Sequence, residues 1–315
     1  MTTPGDGSHR ASWTDIPEPV RTALEKLLGG AVQRTGPSPR GFSPGFAGRL
    51  DLDSGDRYFV KAIAASLTPR GPQTYRREAA IAASLPTTCP TPRLFATYDD
   101  GEWVGLIFEY IDGREPDPTN AADMAAVLDA VDMLSHSTTH TSIKVPRLVE
   151  VWAEDFKSWR TIGAQNRPAG LDTYGSWVDE HVEQLADLES RWSIGVDSNN
   201  LLHGDLRVDN MILADAGVFF VDWPEACRGS SWVDLVLMLP SMAMLEGGPD
   251  PESVIRSHPL TGEVPKAQLD AVLAAIAGFF TASSLLAPPP GLPTVRSFQR
   301  SQAVSALSWL RRRLE

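Results

Sequence analysis

The sequence predicts an α+β protein of two lobes, a small β-rich N-terminal lobe and a larger helical C-terminal one. Three observations carry this. Up to about residue 110 the chain reads as short apolar runs joined by Gly- and Asp-containing turns, with one internal helix. From Asn120 onward the composition favours helices. With 315 residues, 42% hydrophobic and 22% charged, the chain can fill one large domain or two lobes, and disorder over its whole length is excluded. The shift places the first lobe at 1–108, a connector Glu-Tyr-Ile-Asp-Gly at 109–113 and the second lobe at 114–315.

Each element follows from local signals. Residues 1–12 are small and polar and are expected to fray. Asp15 and Pro17 supply an N-cap and a first-turn residue for a helix that should stop at Gly29-Gly30. A loop rich in Gly, Pro and Ser spans 36–48, and a hairpin follows with arms at 46–53 and 57–64 around Ser54-Gly55-Asp56. A helix is predicted over 72–85, then a second hairpin, RLFATY with WVGLIFEY, turned at Asp99-Asp100-Gly101. In the second lobe helices are predicted at about 120–138, 148–162, 173–190, 231–246, 265–285 and 294–313, with a strand pair at 211–221. The proline-rich break APPPGLP, 287–293, separates the last two helices. Arg311, Arg312 and Arg313 end the final helix, where cations complement its dipole.

Two cysteines, Cys89 and Cys227, leave no disulfide framework or Cys-type zinc site. No run approaches 18 uninterrupted apolar residues and the N-terminus has no apolar signal core, so a soluble cytoplasmic protein without a membrane partner is expected. Forty acidic against 28 basic residues give a formal charge of -12, which argues against a nucleic-acid partner but leaves a small anion open. Residues 1–108 carry 12 basic and 11 acidic side chains and residues 109–315 carry 16 and 29, so the negative charge belongs to the second lobe.

The most specific segment is HGDLRVDNMILADAGVFFVDW, 203–223. MIL and VFFV read as the arms of a tight hairpin around Asp215-Ala216-Gly217. Asn210 and Asp222 lie six residues either side of Ala216, which would set them opposite one another at the open end. Asp205 lies in the loop feeding that end. An amide oxygen and carboxylates converging there suit Mg²⁺, which prefers hard oxygen ligands and accepts substrate phosphates as the others.

This segment resembles the catalytic core of the aminoglycoside phosphotransferase family and related small-molecule kinases, which share the protein-kinase-like fold. The resemblance implies Asp205 as catalytic base, Asn210 and Asp222 as metal ligands, and His203 as a residue that orients the loop. Gly204 and Trp223 stand where protein kinases have Arg and Phe-Gly, which favours the small-molecule branch. WVDL, 232–235, also resembles this family, whose Asp braces the catalytic loop, so that role passes to Asp234.

Further positions fit independently. Lys61 lies inside RYFVKAIA, a strand apolar on both faces, so its ammonium needs a buried anion. Glu78 supplies one if Tyr75, Glu78, Ala82 and Leu85 form the buried helix stripe. Together they resemble the kinase lysine that holds nucleotide phosphates and its helix glutamate. GFSPGFAGRL, 41–50, is neither GxGxxG nor a P-loop, but resembles the short nucleotide loop of aminoglycoside kinases and makes Ser43 a phosphate donor. By the same analogy the connector holds adenine through backbone groups near Glu109 and Ile111. His136 and His140 are four apart but lack the Glu of a zinc-protease motif.

The expected reaction is transfer of the γ-phosphoryl group from ATP, with GTP not distinguished, to a hydroxyl of a small molecule. Family acceptors bind in the helical lobe. Carboxylates on its predicted helices, namely Glu154 and Asp155, then Asp179 and Glu183, are substrate candidates together with Glu225. A lobe of such negative charge leans toward a cationic, aminoglycoside-like acceptor or another antibiotic. The alternatives are a kinase of a small metabolite of amino alcohol, sugar, homoserine or choline type, and a nucleotide-binding pseudokinase. The oligomeric state has no signature in the sequence.

Overall fold

A computed structural model describes residues 10–36, 43–139, 143–164, 167–289 and 292–315. Most of the frayed start expected at 1–12, residues 37–42 of the Gly-Pro-Ser loop, His140, and residues 290–291 of the proline-rich break lie outside them.

The first helix, α1 (Glu18–Leu28), begins after Pro17 and ends at Gly29, whose φ of 79° takes the left-handed conformation that glycine adopts without strain. Asp15 is not its N-cap. It closes a separate turn at Trp13–Asp15 by accepting the Ser12 backbone N–H at 2.7 Å. Five antiparallel strands follow: β1 (Val32–Thr35), β2 (Phe46–Leu52), β3 (Arg57–Ala64), β4 (Leu94–Asp99) and β5 (Trp103–Glu109), in spatial order β1-β2-β3-β5-β4. Both predicted hairpins form. The short edge strand β1 was missed because its four residues are mostly exposed and show no apolar period.

Strand alternation then divides the sheet between two helices. Val60 and Ala62 join the cluster made with Val20, Leu24 and Leu28 of α1. Ile63, on the alternate set, joins Tyr75 of α2 (Gly71–Ala82), and Lys61 shares that set. The helix ends three residues earlier than predicted, and Ile81 rather than Ala82 continues its buried stripe.

The C-terminal region packs α3 (Ala121–Ser137), α4 (Leu148–Val151), α5 (Ser158–Ala164), α6 (Ser176–Ser190), α7 (Trp232–Ala243), α8 (Pro251–Ser257), α9 (Lys266–Ser284) and α10 (Val295–Leu314) around one apolar core. Asn120 caps α3 by accepting from the N–H groups of Ala122 and Asp123. The helix predicted at 148–162 is broken, with Phe156 at φ -91°, ψ 42°. A new helix start leaves N–H donors unpaired, and buried Glu189 of α6 accepts those of Trp159 and Arg160 at 2.9 and 3.0 Å. α9 is long and apolar enough to cross a bilayer, yet 61% of its most apolar window is buried within the fold. Arg313 does more than complement a dipole: at 2.6 Å from both Glu252 and Asp270, it ties α10 to α8 and α9.

Two small strand pairs complete the region, β6 (Asn200–Leu202) with β9 (Cys227–Gly229) and β7 (Met211–Ala214) with β8 (Gly217–Phe220). In the second pair Met211 faces Phe220 and Ala214 faces Gly217, so the turn is the two residues Asp215-Ala216. This shifts the expected register. Asn210 stands opposite Val221, whose N–H reaches the Asn210 carbonyl at 3.0 Å, and Asp222 comes one residue later.

Candidate active site

The loop from β6 to β7 carries His203, Gly204 and Asp205, and buried Asp234 at the start of α7 holds it. The Asp234 carboxylate accepts the backbone N–H of His203 at 2.7 Å and of Gly204 at 3.0 Å. Gly204 has a φ of 81°, and a Cβ there would lie 2.4 Å from the Glu225 carbonyl oxygen, so no other residue fits. Converting Asp234 to Asn replaces one acceptor oxygen by a donor facing an N–H. The variant is expected to unfold with about 1.5–3 kcal/mol less stability by urea denaturation; unchanged stability would show that the brace is idle.

His203 is buried and its ring bridges the loop to the end of β8. Nε2 donates to the Val221 carbonyl at 2.9 Å, and Nδ1 accepts the Asp205 N–H at 3.3 Å. Burial drives its pKa down to about 4, so the ring is neutral near pH 7 and both nitrogens are committed. The geometry therefore suits orientation of the loop.

Asp205 and Asn210 meet across this loop. The Asn210 Nδ2 donates to the Asp205 carbonyl at 2.8 Å and to its carboxylate at 3.2 Å, which leaves the amide Oδ1 as the atom available to a ligand. Asp222 follows β8 with a φ of 70°, the one non-glycine residue in that region among those described. Its carboxylate receives the Lys61 ammonium at 2.7 Å, and Glu78 receives the same ammonium at 2.6 Å. Burial opposes the charge on Lys61, but Asp222 and Glu78 outweigh it and hold its pKa above the ordinary lysine value. The strand lysine, the α2 glutamate and the hairpin aspartate, far apart in sequence, thus form one cluster across the two regions.

A cavity of about 350 Å³ opens beside this cluster, lined by Lys61, Glu78, Asn210, Asp222 and the connector residues Glu109 and Ile111. The Glu109 N–H is spent on the Arg93 carbonyl at 2.9 Å, whereas the Ile111 N–H has no partner among the described residues. Ser43 does not line the cavity. Its hydroxyl lies 3.3 Å from that of Tyr75, whose ring sits under the Lys61 ammonium.

A second cavity, about 300 Å³, lies on the other side of the catalytic loop and is bordered by Asp205, Asp155 and Glu225. The remaining acidic candidates are not brought to it. Glu154 is exposed and pairs with Lys157; Asp179 pairs with Arg167 at 2.7 Å; Glu183 is exposed. The reason is periodicity: Val178, Val182, Leu185 and Glu189 form the buried stripe of α6, which turns Asp179 and Glu183 away.

Arg207 was missed by sequence reasoning. One guanidinium nitrogen lies 2.8 Å from each Asp205 oxygen, and the Nε side reaches Asp209 at 3.0 Å. Its position two residues after Asp205 was the available signal, but charge at that spacing is common in loops. His136 sits 3.5 Å from Asp132 on an exposed helix face, and among the described residues no group of three or more His, Cys, Asp or Glu side chains is placed to hold a metal.

A model of the phosphotransferase enzyme family, APH, matches residues 42–306. Among solved structures, the chain is similar to an aminoglycoside phosphotransferase from Alicyclobacillus acidocaldarius subsp. acidocaldarius DSM 446, at 13% identity and a TM-score of 0.57, covering 90% of this chain and 92% of that one. It is also similar to a thermostable mutant of aminoglycoside phosphotransferase APH(4)-Ia in ternary complex with ADP and hygromycin B, at 14% identity and a TM-score of 0.56, covering 93% and 98%. A third likeness is to an aminoglycoside-3'-phosphotransferase of type VIII, at 20% identity and a TM-score of 0.55, covering 84% and 100%. No protein with a curated description matches the sequence. The structural likenesses bear on the fold, and the family match covers most of the chain: it belongs to the APH phosphotransferase enzyme family and is a small-molecule kinase.

Proposed function

We propose that this kinase transfers the γ-phosphoryl group of ATP to a hydroxyl of a small molecule bound beside Asp205. The observation that carries this reading is the single catalytic loop between two cavities, with Asn210 and Asp222 on one side and Asp205 open to the other. The Asp205 carboxylate takes the hydroxyl proton as the oxygen bonds to phosphorus and the bond to the ADP oxygen breaks. Lys61 holds the nucleotide phosphates, and the Ile111 N–H offers a donor to the base.

Mg²⁺ fits the donor set, since the free Asn210 amide oxygen and the Asp222 carboxylate are hard ligands too few to complete a shell without phosphate oxygens. When bound, the ion neutralises charge developing on the phosphates. Asn210 and Asp222 would hold it. A reducing cytoplasm, where nucleotide is abundant, is part of the same proposal, and both cysteines are free and buried.

The pH profile tests the role of Asp205. Burial pushes its carboxyl up to about 7, against the opposing charge of Arg207. A base acts only when ionised, so kcat/KM for the acceptor is expected to fall as pH drops through neutrality. Arg207→Ala removes the charge that restrains the carboxyl, so the acid limb is expected to move to higher pH. A limb that stays in place would exclude Asp205 as the titrating base.

An antibiotic of aminoglycoside type is the finer reading of the acceptor suggested by bulk charge and by the hygromycin B complex of the APH(4)-Ia relative. Of the candidate carboxylates, though, only Asp155 and Glu225 border the cavity with Asp205.

A further inference from the structure

The N-terminal segment brings a cation to the cavity beside Lys61. Residues 10–12 belong to the start expected to fray, yet they are held in place. The Ala11 N–H donates to the Pro44 carbonyl at 3.0 Å, and the buried Trp13 ring packs against Phe46 with 5.5 Å between centroids. The segment therefore crosses the start of β2, and Arg10 lines the 350 Å³ cavity together with Lys61, Glu78 and Asp222. It lies outside residues 42–306, so it is no part of the family match.

Arg10 stands at one end of this cavity. The two other arginines of the lining stand toward the connector. Arg49 lies over the Tyr110 ring and donates to Asp51 at 3.1 Å, and Arg114, just after the connector, donates to Asp123 at 2.9 Å. Arg10 is placed instead near Tyr75 and Asp222: burial lowers its pKa below the ordinary arginine range, and those two groups act on it in the opposite sense. Both also contact the Lys61 ammonium, which fixes Arg10 at the lysine end.

That end is where positive charge is short. Glu78 and Asp222 share the single Lys61 ammonium, and Ser43, expected to donate to phosphate, turns to Tyr75 and does not line the cavity. Arg10 is the further cation there. Its guanidinium presents a planar fork of N–H donors that matches two phosphate oxygens at once. The half-buried cation loses hydration, a cost that an anionic ligand in the cavity offsets.

We propose that Arg10 binds the phosphates of the nucleotide, a contact that the N-terminal segment adds to the site by carrying the residue across the start of β2. The proposal rests on the kinase reading above, and its test separates the two. The full chain and its variants Arg10→Gln and Arg10→Lys are titrated with AMP-PNP in the presence of Mg²⁺. The Tm of each without nucleotide shows that it is folded at the titration temperature.

Arg10→Gln removes the charge and the fork and is expected to raise the AMP-PNP Kd about tenfold or more, the effect of losing a hydrogen bond to a charged group. Arg10→Lys keeps the charge without the fork and is expected to recover part of that affinity. A Kd for Arg10→Gln that stays within about twofold of the wild type, or a loss that Arg10→Lys does not relieve, would overturn the assignment and leave the kinase reading standing. A lower Tm in Arg10→Gln with an unchanged Kd would place the arginine in the fold alone. Failure of the wild-type chain to bind AMP-PNP would overturn both.

Discussion

Asp205→Ala is expected to lower acceptor phosphorylation by about 10²–10⁴-fold, the range of positioned general-base catalysis, while the Kd for nucleotide stays nearly constant. The separation of effects follows from position. Asp205 borders the cavity proposed for the acceptor and does not line the one proposed for the nucleotide, where Asn210, Asp222 and Lys61 are found. Its removal should leave the loop in place, because Asp234 holds the His203 and Gly204 N–H groups and Asp209 still anchors Arg207. Asp205→Asn sharpens the test, since it keeps the size of the side chain and removes the basic oxygen. Single-turnover transfer and nucleotide titration on each variant give the answer. Wild-type turnover in either one would remove Asp205 from the mechanism. A wild-type protein that binds nucleotide but transfers phosphate to no acceptor would favour the pseudokinase alternative.

Lys61→Met should be costly in two ways at once. The side chain of Glu78 is 3% exposed and that of Lys61 is 11% exposed, so deleting the ammonium strands a buried carboxylate. Breaking such a pair from one side destabilises a fold by about 3–5 kcal/mol. Asp222 also loses the partner that, against burial, holds its pKa below the usual carboxylate range. The expected result is a lower denaturation midpoint together with a raised KM for nucleotide. The double variant Lys61→Met, Glu78→Gln separates these effects: neutralising the stranded carboxylate should restore most of the stability but not the nucleotide affinity. Recovery of both would mean that the lysine serves the fold alone.

Legibility in the sequence depended on how local each signal was. The two N-terminal hairpins were readable because their turns and apolar arms are contiguous, and Lys61 and Glu78 were readable as partners because each breaks an apolar pattern that demands a counter-charge. The register of the β7–β8 hairpin was off by one, since Asp215-Ala216-Gly217 admits a turn centred on either side of Ala216, and only the pairing of Ala214 with Gly217 decides it. The break at Phe156 left no trace in local composition because its stabilising acceptor, Glu189, lies about 30 residues away. For the same reason Glu154, Asp179 and Glu183 looked equivalent to Asp155 and Glu225 until the helices were packed.

By itself the sequence determined the α+β class and singled out the segment 203–223, because the spacing of Asp205, Asn210 and Asp222 is confined to one loop and one hairpin. The tertiary structure alone decided what surrounds that segment. Arg207 engages both oxygens of Asp205, and Phe279, Phe280, Phe298 and Gln302 reach the cavity beside Asp205 from helices that begin some 60 to 90 residues downstream. Net charge is a sum over the chain and carries no direction. Which of its carboxylates meet a cavity is set by how helices pack, and here packing brings Asp155 and Glu225 to the cavity that Asp205 borders.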